Sequence, residues 1–123
     1  MNEDEITKRI LKAAFKVHSG LGPGLLESSY KVCLAYELIN DNLYVEVEKP
    51  MPLVYEKVQL EVGYRIDLFV EKCVVVEIKV VEAFADIHLA QMLTYLRLSN
   101  CKIGLLLNFK TVSLKNRIKR VIL

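Results

Sequence analysis

Cysteine and histidine are scarce in this chain: three cysteines, Cys33, Cys73 and Cys101, and two histidines. The cysteines are odd in number, widely spaced and never in a CxxC pair. That pattern argues against zinc and reads instead as buried reduced thiols. Long apolar runs are also missing. No stretch approaches the about 18 residues that a membrane span requires, so no membrane partner is expected. The start, Met1-Asn-Glu-Asp-Glu5, lacks the basic flank and apolar core of a signal peptide. The expectation is a cytoplasmic protein. Repeats, low-complexity tracts and linkers are absent. So is a dominant charge: the net value is +2, which does not by itself argue for nucleic acid. Lys110, Lys115, Arg117, Lys119 and Arg120 do crowd the C-terminal end. Contact with phosphates and an ordinary solvated surface explain that crowding equally well.

What is present is apolar material in an ordered pattern. Hydrophobic residues make up 53% of 123 residues, enough for a core without disulfide staples, in one domain spanning 1–123. Acids at Glu3, Asp4 and Glu5 suit a helix start, and Ile6, Ile10, Ala13, Ala14 and Val17 keep helical spacing to about Ser19. Gly20-Leu-Gly-Pro-Gly24 breaks the chain. A second helix is predicted from about Leu25 to Asn40, with Leu26, Tyr30, Cys33, Leu34 and Leu38 as its apolar stripe. Strands follow at Tyr44–Glu48, Leu53–Tyr55, Val58–Val62, Arg65–Val70 and Cys73–Val80. Asp86 is expected to cap a helix running to about Ser99, before a buried strand at Ile103–Leu107. The state of the tail from Ser113 is open. The order implies an α/β fold: a mixed sheet with helices on its faces.

The run Cys73-Val-Val-Val-Glu-Ile-Lys79 is the most informative segment. It reads as a strand buried on both sides, yet it carries Glu77 and Lys79 on one face. An unpaired charge there costs several kcal/mol or neutralises itself. A second acid, Asp67, lies ten residues earlier in another strand-like run. Two acids and a lysine converging on one sheet face suggest a divalent metal with the lysine beside its bound water. Register constrains this. A short even-numbered hairpin loop would turn Glu77 away from Asp67, so a shared metal needs an odd loop or a bulge. A bulge between Asp67 and Glu77 is predicted, since bulges are common beside active sites.

These residues resemble the D…(D/E)xK signature of the PD-(D/E)xK nuclease superfamily. Gly24-Leu-Leu-Glu-Ser-Ser-Tyr30 is similar to the GxxExxY motif that names a family within it. Tyr64-Arg-Ile-Asp67, Gln91-Met-Leu-Thr-Tyr95 and Gly104-Leu-Leu-Leu-Asn-Phe109 resemble, in order, its acid strand, its QxxxY helix and the strand after it. One departure is that Ile66 stands where the signature's proline would be; that proline carries no ligand. The resemblance implies a restriction-endonuclease-like αβββαβ core and metal-dependent cleavage of nucleic-acid phosphodiesters, DNA before RNA. The cofactor implied is Mg²⁺, with Mn²⁺ as a substitute, because magnesium prefers oxygen ligands and keeps several waters. Asp67 and Glu77 would supply carboxylate oxygens and Ile78 its backbone carbonyl. Lys79 would orient the attacking water and stabilise developing charge.

Other positions have two readings each. Glu27 would reach the metal or a second ion by resemblance; a carboxylate in a first helical turn also simply favours the dipole. Tyr30, at i+3 from Glu27, would pack in the core or hold Glu27 or a phosphate. Gln91 would position the lysine, water or nucleic acid. Tyr95 reads as packing with a satisfied hydroxyl. His88 fits an acid–base role or, more simply, a structural one. A nucleic-acid-binding or assembly module without turnover is the alternative function, given the small chain and modest charge. A homodimer would set two sites against two strands.

Overall fold

A computed structural model of the chain describes residues 1–61 and 63–123. The first helix, α1 (Glu3–Leu21), starts where Asn2 accepts the Glu5 amide at 2.9 Å. Three acids in its first turn face the positive end of the helix dipole. Gly22, at φ 69°, ends it in a conformation that glycine adopts without a Cβ clash. The second helix, α2, runs Glu27–Asn40. Leu26, predicted in its buried stripe, instead precedes it and is 74% exposed. The loop turns the chain there, so helical spacing does not yet apply.

Then come β1 (Val45–Pro50), β2 (Leu53–Tyr55), β3 (Val58–Leu60), β4 (Arg65–Val70) and β5 (Val74–Lys79). The predicted third strand ran to Val62, which lies outside the described residues. The next helix, α3, runs Asp86–Ser99. Asp86 is its first residue rather than its cap; His88 Nδ1 accepts the Ala85 amide at 3.0 Å instead. After β6 (Ile103–Asn108) the tail forms a short 3-10 turn (Leu114–Arg117) and β7 (Ile118–Ile122).

Among the described residues, five strands form a mixed sheet in the order β1-β4-β5-β6-β7. The pairs β1–β4, β4–β5 and β6–β7 are antiparallel, whereas β5–β6 is parallel. A parallel pair needs a crossover, and α3 supplies it. Thus α2, β1, β4, β5, α3 and β6 follow the αβββαβ order that the resemblance implies, while β2 and β3 form a separate hairpin. Side-chain alternation divides the interior in two. Leu68, Val76, Ile78 and Leu105 pack with α1 and α2; Val75 and Leu106 pack with α3. Burial on both sides explains the continuous apolar run in β5. Each large aliphatic side chain so buried contributes roughly 1.5–3 kcal/mol. Both β5 and β6 end at the same level, with Lys79 opposite Asn108. Carboxyl ends of parallel strands are where open α/β sheets hold ligands.

Candidate active site

The β4–β5 hairpin decides whether the two acids meet. Its pairs are Val70↔Val74, Phe69↔Val75 and Leu68↔Val76, across a three-residue loop. Glu71 and Lys72 take φ values of 55° and 52° to close it. The predicted bulge is absent: the odd loop alone carries the register on to Asp67 opposite Glu77. Backbone pairing stops before that point, and side chains replace it. Glu77 Oε2 accepts the Asp67 amide at 2.7 Å, and Asp67 Oδ2 accepts the Ile78 amide at 2.8 Å. Alternation also breaks at Asp67. Ile66 packs on the α3 side, although Leu68 and Val70 pack on the other.

Each acid thus commits one oxygen to a backbone amide and turns the other toward a lysine. Asp67 Oδ1 lies 3.8 Å from Lys31 Nζ, and Glu77 Oε1 lies 4.0 Å from Lys79 Nζ. Glu77 is only 3% exposed. Burial first, then the neighbouring Asp67 charge, pushes its carboxyl up to about 8. Burial likewise raises the Asp67 carboxyl, against the pull of the Ile78 amide and of both lysines. Two carboxylates held together with little water favour any cation that can join them.

Lys79 is held in place from the far side. Its carbonyl accepts the Phe109 amide at 2.9 Å. The fully buried Asn108 donates to the Val81 carbonyl at 2.7 Å and accepts the Val81 and Lys110 amides at 3.2 and 3.1 Å. Asn108 was missed as a functional candidate. Its signal was a polar residue ending the apolar run from Ile103.

Glu27 opens α2 and is the most exposed of the three acids. Partial screening from water, then the Asp67 charge, raises its carboxyl, while Lys79, Lys31 and His88 oppose the rise. It senses the site electrostatically, with no hydrogen bond to either acid. Tyr30 does not hold Glu27. Its hydroxyl donates to the Gly22 carbonyl at 2.5 Å and accepts the Leu25 amide at 3.2 Å, and its ring stacks on Phe109 at 4.5 Å. The i+3 spacing put both residues on one helix face, but the loop backbone offered the hydroxyl nearer partners. Gly24, at φ 98°, lies inside the turn that Tyr30 closes. The motif's glycine and tyrosine therefore build the loop that launches Glu27.

On α3, Gln91 and Tyr95 line an open pocket of about 310 Å³ with Tyr64, Ile87 and Thr94. Tyr95 is buried; burial and then the Glu77 charge raise its ionisation, while the Arg65 backbone opposes the rise. His88 is engaged in capping, with its ring edge toward Phe84 at 6.4 Å. Two further residues escaped the sequence. Lys31 bridges Glu48 Oε1 at 3.0 Å and Asp67 at 3.8 Å. Its place four residues after Glu27 was the available clue.

The donor set suits a hard cation. It offers carboxylate oxygens and no soft ligand, and burial raises both acids despite the lysines beside them. Among the described residues, no three His, Cys, Asp or Glu side chains already cluster closely enough to hold a metal. A cation held by two carboxylates would need backbone oxygen and water to complete its shell, as magnesium's preference for oxygen ligands and retained waters allows.

A family model of the PD-(D/E)XK nuclease superfamily matches residues 4–121. The chain belongs to that superfamily, whose members are usually nucleases or phosphodiesterases and typically use divalent metals. No curated protein matches it. Among solved structures, the crystal structure of SSO0001 is similar to it at 19% identity, over 94% of this chain and 75% of that chain, with a TM-score of 0.44. Among the described residues, no helix is long and apolar enough to cross a membrane.

Proposed function

We propose that this chain is a magnesium-dependent nuclease that hydrolyses phosphodiester bonds, with DNA as its first substrate, and that it falls in the GxxExxY group of its superfamily. The observation that carries the reading is the reciprocal fixing of Asp67 and Glu77, with Lys79 4.0 Å from the second acid. Asp67, Glu77 and the Ile78 carbonyl would hold Mg²⁺, or Mn²⁺ in its place, and Glu27 would join directly, through water or at a second ion. When bound, the cation acidifies water and draws charge from the phosphoryl oxygens. Lys79 orients the attacking water and stabilises the charge that develops on phosphorus oxygens. Asn108 fixes the chain just beyond Lys79, which keeps that ammonium from wandering. Gln91, which shares the α3 pocket with Tyr95, would offer its amide to a phosphate or base, with Tyr95 packed beside it.

The test is cleavage of a panel of single-stranded, duplex and branched DNA, with RNA in parallel, in Mg²⁺ or Mn²⁺. Activity should vanish in folded Asp67→Ala and Lys79→Ala protein. Cleavage that survives both substitutions rejects the site. One observation favours the alternative of a binding or assembly module: among the described residues, no three candidate ligand side chains are preassembled as a cluster. Salt-sensitive binding with no cleavage across the panel selects that reading.

A further inference from the structure

We infer that Lys31 and Glu48 form a built-in counter-ion device, in which Lys31 competes with a divalent cation for Asp67 and Glu48 holds that ammonium back. The inference rests on the cation-binding reading of Asp67 given above. Lys31 reaches the site from α2 with its side chain only 15% exposed. It stands 3.0 Å from Glu48 Oε1 but 3.8 Å from Asp67 Oδ1, the oxygen that no amide occupies. The ammonium is therefore drawn to the outer acid and stops short of a hydrogen bond to the inner one.

The backbone at Glu48 carries the second observation. The β1–β4 ladder pairs Val47 with Leu68 and Lys49 with Ile66, but omits Glu48 and Asp67 between them. Glu48 takes φ 51°, a left-handed conformation that non-glycine residues rarely adopt. Such conformations persist where surrounding contacts over-determine them and concentrate at functional sites. Here the distortion faces Asp67 across the strand pair, and the carboxylate it presents is the one that holds Lys31. The pairing also leaves its mark on the charges. The Lys31 hydrogen bond holds Glu48 below the usual carboxylate range; burial pulls Lys31 down, but Glu48 and Asp67 outweigh it, and the net shift is upward. Lys31 is thus a standing positive charge at neutral pH.

Lys31 and Glu48 are positioning residues in this scheme, and their coupling separates the device from simple electrostatics. Calorimetric titration with Mn²⁺ on the full chain, at fixed pH and salt, gives the readout without cleavage. Lys31→Met should tighten Mn²⁺ binding about tenfold, and Glu48→Gln should weaken it about tenfold by releasing Lys31 onto Asp67. In the Lys31→Met background, Glu48→Gln should have almost no effect. Lys31→Arg should restore weak binding. Additive effects in the double variant, or shifts of the two single variants in one direction, overturn the device while leaving the metal site intact. Failure of the unaltered chain to bind Mn²⁺ overturns the metal reading and this inference with it. Circular dichroism verifies folding; if Lys31→Met does not fold, Lys31→Gln takes its place in the same cycle.

Discussion

The Asp67 amide donates to Glu77 Oε2 at 2.7 Å, and the Asp67 carboxylate accepts the amide of Ile78, the next residue along the facing strand. Each acid is fixed by the strand of the other. The ladder gives up backbone pairing beyond Leu68↔Val76, and the side chains take over those amides. The acids are thereby oriented before any ligand arrives, which lowers the cost of assembling a cation site.

That arrangement makes the metal-free protein sensitive to base. Glu77 rises from its ordinary 4.5 to about 8, so between those values the folded chain binds a proton that the unfolded chain has lost. Stability therefore falls as pH rises through this window and is greatest at its acidic end. The raised Asp67 carboxyl acts in the same direction. In chelator, the thermal midpoint should drop by several degrees from about pH 5 to about pH 8, and Glu77→Gln should flatten most of the drop. A flat profile in the unaltered protein contradicts the burial of a strained acid.

Cation binding should reverse the trend. Ligand carboxylates must be ionised, so Mn²⁺ binding releases protons and tightens with pH toward about 8. Added Mn²⁺ should raise the melting temperature more at pH 8 than at pH 6, and Asp67→Ala should abolish the effect. An increment independent of pH contradicts this linkage.

Lys79 and Asp67 should separate by function. Lys79→Ala should lose cleavage by at least about a hundredfold yet keep Mn²⁺ binding, because the lysine serves the reaction and not the cation. Asp67→Ala should lose both. Paired calorimetry and cleavage assays read this directly; loss of Mn²⁺ binding in Lys79→Ala would place the lysine wrongly.

Tyr30 and Asn108 carry structural predictions. Tyr30→Phe keeps the ring on Phe109 but takes the hydroxyl from the half-buried Gly22 carbonyl and from the Leu25 amide, for a cost of about 0.5–1.5 kcal/mol per hydrogen bond lost. Asn108→Ala leaves the Val81 and Lys110 amides without their side-chain partner, at about 0.5–1.5 kcal/mol for each hydrogen bond lost. Urea denaturation gives both values. Asn108→Ala should also slow cleavage, since Lys79 loses its anchorage, whereas Tyr30→Phe should leave Mn²⁺ affinity unchanged.

Much of this architecture was legible in the chain. The apolar run around Glu77 and Lys79 identified a central strand, and the helical spacing of Ile6, Ile10, Ala14 and Val17 located α1. The acids were legible because charge in such a strand demands a reason. Details governed by tertiary competition were not. A bulge and an odd loop solve the same register problem, and no propensity at Glu71-Lys72-Cys73 chooses between them. His88 outcompetes Asp86 for the cap because its ring reaches back to the Ala85 amide. Lys31 and Glu48 belong to different elements, and only folding brings them to Asp67. The strand at Ile118–Ile122 hid in a basic tail, since an edge strand with one wet face needs only alternate apolar residues.

The most direct measurement is anomalous diffraction from a crystal soaked in Mn²⁺. The expected result is one strong peak within ligand distance of the Asp67 and Glu77 carboxylates, lost in Asp67→Ala crystals. A saturating soak that leaves this position without anomalous density, or places the peak elsewhere, would contradict the claim that these two acids gather a cation.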